Sequence, residues 1–138
     1  MQLYIFPTRL ISEVQKEFAA IFPFLKLEFF SGKANRQTRS TVFQIISNNK
    51  RISDCQSATA DGILEFEEEM KVAELENQLK SRFHLNAQVF RRSGNTWLQT
   101  TMTDSWTLQK QNEHGKEISQ PVPSQWINEN LKDDVDYD

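Results

Sequence analysis

The segment LYIFPTRLISEVQKEFAAIF, residues 3–22, returns 61 residues later as LEFEEEMKVAELENQLKSRF, residues 64–83, with the same spacing of apolar residues. Six apolar pairs coincide: Leu3/Leu64, Ile5/Phe66, Ile11/Val72, Val14/Leu75, Phe18/Leu79 and Phe22/Phe83. With one residue inserted in the second copy, the match continues from Leu25 on Ala87, through Leu27 on Val89, to the pair Ser31-Gly32 on Ser93-Gly94. A long period that occurs only twice predicts a duplication inside one domain rather than a repeat array.

Each copy predicts a strand, a helix, a second strand and a turn. Ile11, Val14 and Phe18 recur at intervals of three and four residues, which predicts one stripe of an amphipathic helix. The flanking segments alternate with a period of two, as strands do. Two such units predict an α+β, ferredoxin-like split βαβ fold, in which an antiparallel sheet carries both helices on one face. The alternative is a β-grasp-like fold, because the second copy alone has the strand, helix and strand order of such domains.

We predict a single domain over residues 1–132 and an acidic tail over 133–138. Within the domain we expect repeat 1 at 2–32, an insert at 33–60, repeat 2 at 62–94 and a C-terminal elaboration at 95–132. The insert contains an apolar stretch at 42–46 that predicts a strand or short helix. In the C-terminal part we expect a strand at 96–102, a helix that is capped by Asp104, runs to His114 and is closed by Gly115, and a last helix with Trp126, Ile127 and Leu131.

The composition is that of a soluble globular domain: 138 residues, of which 38% are apolar, 25% charged and 11% aromatic. Cys55 is the only cysteine, which favours a reducing compartment over a secreted, disulfide-bonded scaffold. No basic region precedes the short apolar run at the N-terminus, and no apolar run approaches the roughly 18 residues of a spanning helix. We therefore predict a cytoplasmic protein with no membrane partner.

Catalytic and metal-binding signatures are weak. The two histidines, His84 and His114, have no ligand-type neighbour at helical spacing, so we predict no metal and no cofactor. The Ser31-Gly32-Lys33 sequence lacks the several glycines of a phosphate-binding loop and is interpreted as a turn. The acidic run Glu67–Glu69 is interpreted as charge that favours the start of the second helix. We predict a protein that is not an enzyme.

Strand alternation points to one unusual surface. If the apolar partners face the helices, the opposite face of the sheet carries Tyr4, Phe6, Phe24, Phe30 and Phe90. Each buried aromatic hides about 150–250 Å², so five exceed the apolar patch that a monomer normally exposes. Either the chain's own outer segments, 42–46 or those around Trp106 and Trp126, cover this face, or a partner does. We predict a non-catalytic protein-interaction or self-association module, with a homodimer as one form.

Nucleic-acid binding is the alternative function. Ferredoxin-like sheets include RNA-binding modules that stack bases on aromatic side chains. Basic residues that could contact a polyanion are Lys33, Arg36, Arg39, Lys50, Arg51, Arg91 and Arg92. The third predicted strand reads ILEFEEE, however, and its glutamates would repel phosphate.

Residues 70–112, with KVAELENQL and QVFRRSGNTWLQTTMTDSWTLQKQN, resemble small bacterial cytoplasmic proteins for which no activity is implied. The resemblance favours a bacterial cytoplasmic origin. It draws attention to Asp104, Trp106 and Gln111-Asn112 as site residues. The alternative for these four residues is a capped helix with a core tryptophan.

Overall fold

The computed structural model describes the backbone of residues 1–35 and 40–119, and it confirms the α+β class. The strands are β1 (Gln2–Ile5), β2 (Leu25–Asn35), β3 (Ser40–Ile45), β4 (Gly62–Glu65), β5 (Asn86–Ser93) and β6 (Thr96–Gln99). The helices are α1 (Ile11–Ile21), α2 (Val72–Phe83) and α3 (Leu108–Ser119), with short 3-10 turns at Ile52–Asp54 and Thr101–Thr103. The helix predicted around Trp126 and the acidic tail lie outside the described residues.

The ferredoxin-like topology is not confirmed, because the strands form two sheets instead of one. The first strands of the two copies, β1 and β4, pair with each other as an antiparallel two-stranded sheet. The second strands, β2 and β5, pair at the centre of a four-stranded sheet of order β3-β2-β5-β6. β2 and β5 pair with each other on one edge and with the hairpin strands β3 and β6 on the other, so neither has a free edge for β1 or β4.

The duplication is arranged about a pseudo-twofold axis. Leu3 is the cross-strand partner of Leu64, and Leu27 is the partner of Val89. These are the residues that the sequence repeat equates. In an antiparallel pair, equivalent residues face each other only where a twofold axis passes between them. The two copies therefore contact each other through both of their strands.

The repeat continues beyond the second strand of each copy. In copy 1, the backbone N–H of Ile11 donates to Lys50 at 2.9 Å and that of Ile52 donates to Arg9 at 2.8 Å. The same pattern recurs in copy 2. There the Val72 N–H donates to the Trp106 carbonyl at 3.0 Å, and the Leu108 N–H donates to the Met70 carbonyl at 2.9 Å. The segment from β3 to the turn at Ile52–Asp54 thus completes copy 1. Where Leu108 begins α3 in copy 2, Ile52 begins only a single 3-10 turn.

The core lies between the two sheets and the stripes of α1 and α2. All eight residues expected to face inward from the strands are buried: Leu3, Ile5, Leu25, Leu27, Leu64, Phe66, Ala87 and Val89. The helical stripes of both copies are also buried, from Ile11 to Phe22 and from Val72 to Phe83. Each fully buried side chain of this size contributes about 1.5–3 kcal/mol from burial.

Two predictions about α3 are wrong. The helix does not end at Gly115 but continues to Ser119, and Gly115 lies where α3 approaches Phe24 closely. Asp104 does not cap the helix either. Thr107 does, because its Oγ1 accepts a hydrogen bond from the Lys110 N–H at 3.1 Å, in the third position of the helix.

Candidate binding surface

The five aromatic residues predicted to form one face lie in three places. Tyr4 lies in β1 of the two-stranded sheet and Phe6 directly follows that strand, with their ring centroids 6.3 Å apart. Phe30 and Phe90 lie on the four-stranded sheet with centroids 6.4 Å apart. Phe24 precedes β2 and packs against α3. The separation follows from the sheet topology, because β1 does not share a sheet with β2 and β5.

The outer face of the β1–β4 sheet exposes a cluster of apolar side chains. Cross-strand pairs place Tyr4 beside Ile63 on this face, and Gln2 beside Glu65. Tyr4 is 39% exposed, Phe6 38%, Ile63 40% and Met1 47%. Phe24, Phe30 and Phe90, by contrast, are half-buried. Of the predicted interaction residues, Tyr4 and Phe6 are therefore the pair most available to a partner.

The outer edge of β1 is closed by an ion pair. The Tyr4 N–H donates to Glu17 Oε1 at 3.1 Å, and Arg9 Nη1 donates to the Tyr4 carbonyl at 2.8 Å. Arg9 and Glu17 also form a salt bridge of 3.1 Å. Because both backbone groups of Tyr4 are occupied, a further strand cannot pair with β1 at this position.

Beside this face lies a groove of about 1050 Å³, which we call the acidic groove. Its carboxylates come from Glu17, Glu65, Glu67, Glu69 and Glu74. Met1, Tyr4, Phe66 and Met70 supply its apolar part. No lysine or arginine is among the described residues that line it. Glu17 is paired with Arg9, so the negative charge of the groove comes mainly from Glu65, Glu67, Glu69 and Glu74, and it lies beside apolar area.

The helix dipole does not explain the acidic run. Helix α2 begins at Val72, so Glu67–Glu69 lie before its first turn, and the acidic residue within that turn is Glu74. The dipole effect falls off within the first turn. Charge stabilisation of the helix therefore applies to Glu74, while Glu67 and Glu69 project exposed carboxylates into the groove.

The basic residues predicted to contact a polyanion lie on different elements. Arg36, Arg39 and the side chain of Lys33 lie outside the described part of the structure. Lys50 and Arg51 lie in the loop after β3, where Arg51 donates to the carbonyl of Thr8. Arg92 donates from Nε to the Gly94 carbonyl at 2.9 Å. These bonds hold the guanidinium groups of Arg51 and Arg92 against their own chain.

Arg91 is held within the fold. Its Nη1 donates to Gln111 Oε1 at 3.0 Å, and the guanidinium carbon lies 6.0 Å from the centre of the Trp106 ring. Burial lowers the pKa of Arg91 from its ordinary value. A side chain in this position contributes little to an electrostatic surface for phosphate.

The residues selected from the resemblance secure α3 to the rest of the domain. Buried Gln111 donates from Nε2 to the carbonyl and the hydroxyl of Thr103, each at 2.8 Å. Asn112 Oδ1 accepts the Phe24 N–H at 2.8 Å. Trp106 is half-buried, with the Lys110 ammonium 4.3 Å from the ring centre. Gln111 and Asn112 therefore have structural roles, while Asp104 lines a second cavity.

Comparison of the chain with protein-family models, with curated proteins and with solved structures finds no match. The resemblance to small bacterial proteins stays a prediction. None of the helices described here is long and apolar enough to cross a membrane. Within residues 1–35 and 40–119, no three His, Cys, Asp or Glu side chains are grouped as metal ligands.

Sequence reasoning found only part of the acidic groove. The acidic run Glu67–Glu69 is visible in the sequence, but there it is interpreted as charge that favours the start of the second helix. Glu17 comes from α1, in the other copy, and Met70 from the turn before α2. No local pattern links Glu17 to Glu67, because their proximity depends on the antiparallel pairing of β1 with β4.

Proposed function

We propose that this chain is a non-catalytic, cytoplasmic protein-interaction module that binds a basic, partly apolar polypeptide segment. The acidic groove and the adjoining exposed side chains Tyr4, Phe6 and Ile63 form the binding surface. The observation that carries the proposal is the combination of five carboxylates and an apolar lining in one groove. Lysine or arginine side chains of a partner would meet the carboxylates, while its apolar residues would cover the aromatic pair.

The same charge distribution bears on self-association. In a symmetric dimer the same patch of both subunits meets at the interface, so two acidic grooves would face each other. Like charges placed opposite each other oppose such contact. We therefore favour a partner of different sequence over a groove-to-groove homodimer. Phosphate groups would be repelled in the same way, so the groove does not support nucleic-acid binding.

Fluorescence anisotropy with a labelled peptide of alternating lysine and leucine tests the proposal. The groove variant Glu67→Lys/Glu69→Lys reverses two exposed charges. The matched variant Glu113→Lys/Glu117→Lys makes the same change at two exposed positions of α3. Losing two contacts of about 0.5–1 kcal/mol each, and adding repulsion, weakens binding by about tenfold or more. We expect this loss for the groove variant and wild-type affinity for the α3 variant.

The proposal fails if both double variants bind the basic peptide equally, or if a glutamate–leucine peptide binds as tightly as the basic peptide. Heparin retention that salt abolishes, together with co-purified nucleic acid, would instead support the nucleic-acid alternative. Affinity capture from the native host, with the wild-type and the groove variant compared by mass spectrometry, then identifies the partner as the protein that the groove variant does not retain.

A further inference from the structure

A second cavity, of about 460 Å³, lies between α2, the start of β5 and the loop before α3. Two acidic side chains, Glu76 of α2 and Asp104 of the loop, line it, and both are half-buried. Lys80 lies one helical turn after Glu76 and is exposed. The cavity is also lined by the side-chain amides of Asn86 and Gln88 and by the ring of Phe30.

Glu76 lies beside a gap in the sheet. Strand β6 pairs with β5 from Phe90 onward; at the preceding residue, Val89, the carbonyl still accepts the Thr100 N–H at 3.3 Å and the Thr100 hydroxyl at 2.8 Å, but the N–H has no partner in the sheet on that side. The Val89 N–H instead donates to Glu76 Oε2 at 2.9 Å. Burial raises the pKa of Glu76 and the negative charge of Asp104 raises it further, while the bond from Val89 acts in the opposite direction. Both carboxyl groups line the same cavity, and the charge of Asp104 disfavours the ionised form of Glu76.

The duplication provides an internal comparison for this pair. The equivalent of Glu76 in copy 1 is Gln15, whose Nε2 donates to the Leu27 carbonyl at 2.7 Å. The equivalent of Asp104 is Asn48, because both residues accept the same backbone hydrogen bond. The Ser12 N–H donates to the Asn48 carbonyl at 3.0 Å, and the equivalent Ala73 N–H donates to the Asp104 carbonyl at 2.9 Å. Copy 1 thus has two neutral amides at the positions of Glu76 and Asp104, and the Gln15 amide also donates to Glu28 Oε1 at 2.7 Å. The fold does not require the two negative charges that copy 2 carries here.

We propose that this cavity binds a small organic molecule with a protonated amine, whose ammonium group lies between Glu76 and Asp104. An ammonium group removes the repulsion between the two carboxylates and can donate a hydrogen bond to each. The side chains of Asn86 and Gln88 offer further polar contacts, and Phe30 offers an apolar surface. The volume falls within the range of small-molecule sites in proteins. The two carboxylates would repel an anionic ligand.

The test uses n-butylammonium as the probe and n-butanol, which has a similar shape and no charge, as the comparison. Amide signals of the full chain are followed by heteronuclear NMR during titration. For a probe of five non-hydrogen atoms we expect a dissociation constant on the order of millimolar. The probe should shift the signals of Val89 and Ala73, and butanol should not. In Glu76→Gln/Asp104→Asn, which copies the amides of copy 1, the affinity should fall by about tenfold or more.

The control variant Glu67→Gln/Glu69→Gln removes two charges from the acidic groove and should leave the titration unchanged. Thermal unfolding of Glu76→Gln/Asp104→Asn shows whether that variant is folded, and copy 1 indicates that it is. The proposal is overturned if no shifts occur up to about 100 mM probe, well above a millimolar constant. It is equally overturned if the Glu76/Asp104 variant binds like wild type, or if only groove signals move and the groove variant abolishes them.

Discussion

Replacing Gly115 with alanine should destabilise the domain, although alanine is the better helix former. A Cβ at this position would lie 3.0 Å from Phe24 Cβ, 3.0 Å from Arg91 Cγ and 3.2 Å from the Phe24 carbonyl oxygen. Favourable carbon–carbon contacts lie at about 3.5–4.0 Å. Phe24 cannot simply retreat, because its N–H donates to Asn112 and its carbonyl accepts the Arg92 N–H at 2.9 Å.

Three contributions set the magnitude. Alanine gains about 1 kcal/mol over glycine inside a helix. Overpacking at a tight site costs about 1–3 kcal/mol. Stretching one of the two Phe24 backbone hydrogen bonds costs up to about 1 kcal/mol more. The expected result is a net loss of about 1–2 kcal/mol in the free energy of unfolding.

Urea denaturation followed by circular dichroism measures this loss. The neighbouring exposed residue gives the control, because Lys116→Ala changes the same helix without a contact and should stay within about 0.5 kcal/mol of wild type. Gly115→Val adds more volume to the same contact and should lose more than Gly115→Ala. If Gly115→Ala instead stabilised the protein by about 1 kcal/mol, as in a free helix, α3 would not pack this closely on the start of β2.

Two further predictions concern titration. Burial, with a smaller effect of the Asp54 charge, raises the pKa of Cys55 to about 12, so the thiol stays protonated at pH 8. An aromatic disulfide reagent should therefore react with Cys55 rapidly in urea but only slowly in the native protein. Rapid labelling of the native protein would contradict the burial of the thiol. Because the pKa of Glu76 is raised, the folded state binds the proton of this carboxyl group more tightly than the unfolded state does. The resulting contribution to the free energy of unfolding is complete below the ordinary pKa of 4.5 and is lost as the pH rises through the pKa of the folded state. Glu76→Gln should remove this dependence, and parallel pH curves of unfolding free energy for variant and wild type would refute the shift.

Helical periodicity allowed the core to be predicted from the sequence, whereas strand alternation did not reveal the topology. The apolar stripes of α1, which contains Val14, and of α2, which contains Leu75, are local patterns, and each copy shows its own stripe independently. Alternation correctly assigned Leu3 inward and Tyr4 outward, but it carries no information about which strand lies beside which. The ferredoxin-like order is not confirmed, because β2 and β5 pair with each other instead of flanking β1 and β4.

The candidate site was predictable to the extent that it is local. Tyr4 in β1 and Phe6 directly after it are exposed neighbours, and alternation found them. The acidic groove joins Glu17 of copy 1 to Glu67 and Glu69 of copy 2, and only the pairing of β1 with β4 brings them together. The charges along the sequence reveal the acidic residues but not the groove that they line.

The duplication separates residues that the fold needs from residues that it does not. Glu13 and Glu74 occupy equivalent positions, and both lie in the first turn of their helices. Glu13 Oε1 accepts the Leu10 N–H at 2.8 Å, which is a structural role.

The exposed acidic run and the half-buried acidic pair have no such counterparts. Glu67–Glu69 correspond to Phe6, Pro7 and Thr8, while Glu76 and Asp104 correspond to Gln15 and Asn48. Copy 1 folds without these charges, so their presence in copy 2 is not a requirement of the architecture. Glu67 and Glu69 line the acidic groove, and Glu76 and Asp104 line the second cavity. Charges that one copy of a fold carries and the other lacks are therefore the residues to which we assign binding.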